Sequence, residues 1–422
     1  KGLLSMTLYQ EIQCCRICGN QNLDSILELG NMALSGVFPK TVEEEVPAGP
    51  LTLVKCVESS NGDFCGLVQL RETYNPDMMY GQNYGYRSGL NKSMVNHLHN
   101  KVKRILGHIT LNEDDIVVDI GSNDSTLLQG YPEDKATLVG FDPTGEKFGE
   151  YYPDHITLFV DFFNAKTFKD KFGDKKARII TSIAMFYDLD EPLEFVREVF
   201  DILSDDGVWV FEQSYMPFML EANSFDTICH EHQEYYRLKE IHWMMKKVGF
   251  KIVDIEFNQV NGGSFSITVA KPGSPLQETP DLAKLLAEEE NKGLSTNKPY
   301  DDFGARINEF KSSLRQLLDK IHSENGLILG YGASTKGNIL LQFVGITSKD
   351  IPYMGEVNAD KFGSYTPGTL IPIISEDEAR KMNPDYFFVF PWHFKDFILE
   401  KEKSNIEKSY SLLFPLPSIE II

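Results

Sequence analysis

The 422-residue chain is short of positive charge: 41 Lys and Arg stand against 62 Asp and Glu, a formal net charge of −21. Without a basic stripe nothing neutralises a run of phosphates, so duplex nucleic acid is excluded as a partner. One small phosphorylated ligand, which needs only a few local donors, stays open. Long apolar runs are lacking too, since none reaches the roughly 18 residues that span a bilayer. The chain opens on no charged-then-apolar leader. The expectation is a soluble, cytoplasmic protein with no membrane partner; nothing in the sequence sets an oligomeric state. There is no internal repeat and no low-complexity tract, and the length is that of two or three domains.

Cysteine is scarce, six in all, but five of the six fall in the first 65 residues. Cys15-Arg16-Ile17-Cys18-Gly19 is a knuckle in which two thiolates can face one ion. Cys56 and Cys65 supply a second pair, separated by a polar loop. Four thiolates suit tetrahedral Zn²⁺ in a closed site, which implies scaffolding rather than catalysis. Cys15, Cys18, Cys56 and Cys65 are the expected ligands and Cys14 is a spare thiol.

The pattern predicts an α/β protein of three parts: a zinc-binding module over residues 1–75, a doubly wound domain over 76–275, and a second, smaller Rossmann-like unit over 276–422. A tyrosine-rich segment (74–88) precedes a helix expected over 90–106. Short apolar strands then alternate with helices at 116–120, 137–141, 156–159, 178–183 and 207–211, the signature of a parallel sheet. Residues 251–257 and 264–270 close it as an antiparallel pair. A polar stretch, 271–299, reads as a linker. Beyond a helix near 301–325 come strands at 351–356, 370–372 and 386–390.

Two glycine turns leave strands and enter helices, where backbone N–H groups meet ligands. The first, Asp119-Ile120-Gly121-Ser122-Asn123-Asp124, is not Gly-x-Gly-x-x-Gly. A strand ending in Asp-x-Gly, with an acid at the end of the next strand, fits S-adenosylmethionine. Gly121 and Asn123 would lie along its methionine part, Asp142 would accept from the ribose hydroxyls, and Asp161 and Phe162 would bracket adenine. Met185, after the fourth strand, would touch the adenosyl group. The second turn, Gly330-Tyr331-Gly332-Ala333-Ser334-Thr335-Lys336-Gly337-Asn338, places Gly332, Lys336 and Asn338 where a helix N-terminus meets a diphosphate.

The densest polar cluster is Asp226-Thr227-Ile228-Cys229-His230-Glu231-His232. Histidine beside a carboxylate is the usual means of taking a proton near neutral pH, so His232, ahead of His230, is the expected general base.

These motifs, with Asn261-Gly262-Gly263-Ser264 and Tyr365-Thr366-Pro367-Gly368, resemble the three-domain sugar C-methyltransferases, which act on nucleotide-linked 4-keto-deoxysugars. The resemblance covers nearly the whole chain. It implies that His232 removes the proton beside a keto group and that the enolate carbon takes the methyl group. Glu231, Tyr84, Tyr86 and Tyr215 would position the sugar or steady the enolate oxygen, and Asn261 and Ser334 would help hold the nucleotide-linked keto-sugar. The competing readings are an O- or N-methyltransferase on the same ligand class, and an NAD(P)-using oxidoreductase built on the second turn, which shows no clear ribose-binding acid downstream.

Overall fold

The computed structural model describes residues 7–60, 62–79, 86–406 and 408–422. Three sheets dominate it. The first is the amino-terminal module, built on a long antiparallel hairpin of β1 (Leu23–Ala33) and β2 (Ala48–Cys56) with β3 (Val68–Leu70) beside it. The sequence reading had no strands here. The hairpin pairing shifts register between Ser25 and Leu27 and again between Glu28 and Gly30, which blurs the period-2 pattern.

Helix α1 (Lys92–His108) leads into the central sheet. Its strands are β4 (Ile116–Ile120), β5 (Thr137–Phe141), β6 (Ile156–Phe159), β7 (Ala177–Ile183) and β8 (Leu203–Ser214), all parallel. A short strand, β9 (Glu234–Tyr235), leaves this sheet, and the antiparallel pair β10 (Lys251–Asn258) and β11 (Ser264–Ala270) completes it. The spatial order is β10-β11-β8-β7-β4-β5-β6. Every residue of β4 is buried, as a strand covered on both faces requires. The chain winds outward from β4 to β6 and then returns past β4 to β7. The β4/β7 junction is therefore the switch point where ligands bind in such sheets.

The expected linker is not free. Helix Leu282–Asn291 lies on the central domain, and its Glu289 carboxylate accepts from the N–H groups of Leu238 and Lys239, which open helix Leu238–Val248. Helix α2 (Lys298–Ser323) follows. The carboxy-terminal sheet has order β14-β13-β12-β15-β16-β17, from β12 (Ile328–Tyr331), β13 (Met354–Glu356), β14 (Ile373–Ser375), β15 (Tyr386–Val389), β16 (Ser411–Phe414) and β17 (Glu420–Ile421). Helix α3 (Thr335–Val344) runs from the glycine turn after β12. The strand expected at 370–372 forms three residues later, because Pro372 donates no ladder hydrogen bond and Leu370 adopts φ +53°.

The outer modules share one core. Tyr300, Phe303, Ile307, Phe310, Leu314, Leu318 and Ile321 of α2 recur at spacings of three and four, and they join Leu51 and Leu53 of β2 and Leu340 of α3 in a single apolar cluster. Among the described residues no helix is long and apolar enough to cross a membrane. Leu314 is fully buried. Truncation to alanine there should cost about 2–5 kcal/mol of stability, measured as a lowered urea midpoint.

Candidate active site

A cavity of about 400 Å³ opens at the switch point. It is lined by all seven residues expected at the donor site, Asp119, Gly121, Asn123, Asp142, Asp161, Phe162 and Met185. The backbone at Gly121 has φ +76°, which favours glycine, and an added Cβ there would stand 3.1 Å from the Met185 side chain, a tight contact. Asp142 accepts from Asn123 N–H at 2.7 Å and from Thr144 N–H at 2.7 Å, which aims it across the turn. Burial pushes the Asp119 carboxyl up to about 7, and Thr181 donates to it at 2.6 Å. Phe162 is exposed at the cavity edge. Tyr86 and Asn261 also line the cavity. The Tyr86 backbone accepts from Asn123 Nδ2, and Ser88 N–H donates to Asn123 Oδ1, so the end of the tyrosine-rich stretch is laced to the donor turn. Tyr84 lies outside the described residues.

None of His230, Glu231 and His232 lines this cavity; they stand just before β9, which pairs with β3, and His232 lines a separate small pocket with Tyr187 and Thr227. His230 is buried, with Nε2 on the Met32 carbonyl at 3.1 Å and Tyr74 against its ring. That is a packing role beneath the amino-terminal module. His232 is placed differently. Its Nδ1 lies 2.7 Å from the Thr227 carbonyl, which the Nδ1–H donates to, leaving Nε2 as the lone-pair nitrogen. Tyr187 packs on the ring at 4.2 Å between centroids. Burial, partly offset by the Thr227 bond and reinforced by Lys336, lowers its pKa to about 3 and keeps the ring neutral. Burial alone pushes Glu231 up to about 7. An added Cβ on Gly36 would stand 2.6 Å from Glu231 Oε1 and 3.9 Å from Thr335 Oγ1, so the amino-terminal module, the base cluster and the head of α3 meet at one point.

Residues of the second turn serve mostly to fasten domains. Lys336 Nζ donates to the Asn261 carbonyl at 2.7 Å, and Asn338 Nδ2 donates to the Ser35 carbonyl at 2.7 Å. Ser334 caps α3 by accepting from Gly337 N–H, and Gly332 packs on Pro391. Tyr215 does not line the cavity; its hydroxyl donates to Glu289 at 2.8 Å. The second turn does have an acid at the end of its neighbouring strand, Glu356, but the side chain is engaged by its own fold. It accepts from the N–H groups of Ala333, Val357 and Asn358.

Sequence reasoning missed a buried charge cluster on the cavity wall. Glu212 of β8 meets Lys101 Nζ at 2.7 Å, His97 Nε2 and Asn258 Nδ2. Burial would raise its carboxyl, but the His97 bond and the Lys101 charge outweigh that and hold it at about 2. The available signal was His97 and Lys101 four apart on α1, on the face that carries Met94 and Leu98. His393 was missed as well; its Nδ1 has no partner among the described residues, and the Lys336 charge depresses its titration further after burial.

The four amino-terminal thiols converge as expected. Their Sγ atoms all lie within 4.8 Å of one another, with Cys15–Cys65 and Cys18–Cys56 at 3.5 Å. A tetrahedron of 2.3 Å Zn–S bonds has edges of about 3.8 Å, so the set fits zinc. Asn20 Nδ2 lies 3.3 Å from Cys56 Sγ, an outer-shell N–H···S bond.

Three family models match consecutive stretches of the chain: a zinc binding domain over residues 15–80, a methyltransferase domain over 92–255, and a C-methyltransferase C-terminal domain over 259–417. The chain belongs to the three-domain C-methyltransferases. Family membership makes it an S-adenosylmethionine-dependent methyltransferase with a zinc-binding module. C-methyltransferase NovU of Streptomyces niveus is 27% identical over 423 residues, covering 98% of each chain. Among solved structures, the cyclopropane synthase MmaA2 from Mycobacterium tuberculosis aligns with 41% of this chain and 83% of its own, at 13% identity and a TM-score of 0.33, a likeness on which no argument rests.

Glu231 gives this C-methyltransferase a distinctive pH response. A carboxyl held above its ordinary 4.5 binds its proton more tightly in the folded chain. That contribution to stability is present at low pH and is lost as pH rises through about 7. Glu231→Gln cannot ionise, so its Tm relative to wild type should rise between pH 5 and pH 8, as scanning calorimetry at both values would show.

Proposed function

We propose that the enzyme methylates carbon on a nucleotide-linked 4-keto-sugar, with His232 as the base. The observation that carries this is the His232 geometry: a neutral imidazole whose Nδ1 is tied to the Thr227 carbonyl, with Nε2 as the accepting nitrogen. A hydroxyl or amine acceptor is already nucleophilic or nearly so, whereas a C–H beside a carbonyl needs a positioned base.

S-adenosylmethionine, when bound, supplies an electrophilic methyl group. Asp142 would accept from its ribose hydroxyls, with Asp161 and Phe162 flanking adenine and Gly121 and Asn123 along the methionine part. The keto group acidifies the neighbouring C–H, and His232 Nε2 takes that proton. The resulting enolate carbon would be the nucleophile for the sulfonium methyl group that S-adenosylmethionine would supply, and the His232 imidazolium returns its proton to solvent. Glu231, ionised above pH about 7, would help position the sugar. Tyr84 and Tyr86 would hold the sugar near the enolate oxygen. Gly332, Ser334, Lys336 and Asn338 would bring the carboxy-terminal domain to the nucleotide end, where Lys336 is the cationic candidate and His393, kept neutral by burial and the Lys336 charge, offers an unpartnered Nδ1.

Three outcomes follow. In deuterated water the enzyme should exchange the α proton of a nucleotide-linked 4-keto-sugar without methyl donor, and His232→Ala should abolish that exchange; hydroxyl methylation without exchange, read by mass spectrometry, would overturn the scheme. The pH profile of kcat/KM should rise through about pH 7 in wild type and lose that limb in Glu231→Gln. Asp142→Ala should weaken S-adenosylhomocysteine binding by about ten- to a hundredfold in titration calorimetry, the worth of hydrogen bonds to a charged group.

A further inference from the structure

The carboxyl end of β8 carries a side chain that neither the donor site nor the base explains. Gln213 is 1% exposed and lines the cavity, yet neither Nε2 nor Oε1 has a hydrogen-bond partner among the described residues. A buried primary amide with both ends unpaired is costly, and such groups are rare unless a ligand completes them. Its neighbour Glu212 shows the contrast, being fully engaged by Lys101, His97 and Asn258. Gln233, also buried and also lining the cavity, repeats the pattern. Its Nε2 donates to the Asp188 carbonyl and to Asp190 Oδ1, which leaves the buried Oε1 as an unpartnered acceptor.

Sheet order fixes which ligand these amides face. Gln213 stands on β8, two strands from Gly121 at the end of β4 and three from Asp142 at the end of β5. At about 4.8 Å per strand those separations are on the order of 10 and 14 Å. The donor, in the proposed reading, lies along β4, β5 and β6. The β8 side of the cavity is thus left to the acceptor. Ser214 is level with Ser264 of β11, and Asn261, in the loop just before it, accepts from Lys336 of the carboxy-terminal domain. The amide therefore lies between the methyl-transfer centre and the domain that would hold the nucleotide.

We infer that Gln213 is a substrate-binding residue that reads the acceptor sugar. Its Nε2 donates to one ring-substituent oxygen while its Oε1 accepts from a neighbouring hydroxyl, and Gln233 Oε1 accepts from a second hydroxyl. The ligand class is a polyoxygenated ring with a donor and an acceptor on adjacent carbons, as a keto-sugar has. This inference rests on the keto-sugar reading above.

The test uses the full-length protein with Gln213→Met, which keeps side-chain length and removes both polar atoms, and Gln213→Leu as a second variant. Titration with S-adenosylhomocysteine should give a Kd within about twofold of wild type. Steady-state kinetics with thymidine-diphosphate-linked 4-keto-6-deoxyglucose, and with its uridine counterpart, should show KM raised about tenfold with kcat changed far less. Tenfold corresponds to about 1.4 kcal/mol. An unchanged KM in folded variants overturns the inference and leaves the keto-sugar reading standing. A tenfold weaker S-adenosylhomocysteine Kd also overturns it, because the amide would then serve the donor. A wild-type enzyme inert toward both sugars, but active on a different acceptor class, sinks the keto-sugar reading and with it the ligand class assigned to Gln213.

Discussion

The arrangement depends on one short strand pairing. Glu234 and Tyr235, directly after the base cluster, pair antiparallel with Gln69 and Val68 of the amino-terminal module, and Leu70 N–H donates to the Gln233 carbonyl. A strand of two residues has little stability of its own. It is held because β3 is held, and β3 follows Cys65 while β2 ends at Cys56. Arg16, inside the cysteine knuckle, strengthens the link. Its backbone N–H donates to Gln69 Oε1, its guanidinium donates to the Leu70 carbonyl, and its Nε lies 3.9 Å from the buried Glu234 carboxylate. In the proposed scheme the thiol cluster touches no substrate: it anchors the sheet that holds the strand directly after His232.

That dependence explains a division of labour. The donor cavity is made by the central sheet's own topology, with Gly121 and Asp142 on adjacent strands and Asn123 bonded across the turn. The base cluster is assembled from three sides: Met32 behind His230, Thr227 beneath His232, and Gly36 and Thr335 around Glu231. The amino- and carboxy-terminal modules are fused by a common core and by Asn338 and Gln342 of α3 reaching the Ala33–Ser35 backbone. A rigid frame of this kind is what a base needs when small displacements cost rate.

Much of this was legible in the sequence where chemistry and periodicity coincide. The strands β4, β5 and β6 read as apolar runs, and the Gly121 turn with Asp142 twenty-one residues on carries its own meaning. The thiol spacing foretold the four-cysteine cluster, and the His232 cluster was dense enough to notice. What stayed hidden depends on contacts distant in sequence. The β1–β2 hairpin is blurred by its register shifts, and β9 is too short to show a period. Glu289 looked like part of an acidic linker helix until the chain brought it to Leu238, and that same contact draws the Tyr215 hydroxyl away from the cavity. Gln213 is silent in sequence, because an amide announces itself only by lacking partners once buried.

The most direct test of the central dependence is to disrupt the thiol cluster and read the two halves of the chemistry separately. In Cys18→Ser protein, S-adenosylhomocysteine affinity should stay within about twofold of wild type while donor-independent α-proton exchange on a nucleotide-linked 4-keto-sugar falls by about a hundredfold or more, the scale of a displaced catalytic group. Exchange at the wild-type rate in protein shown to be free of zinc would contradict the account.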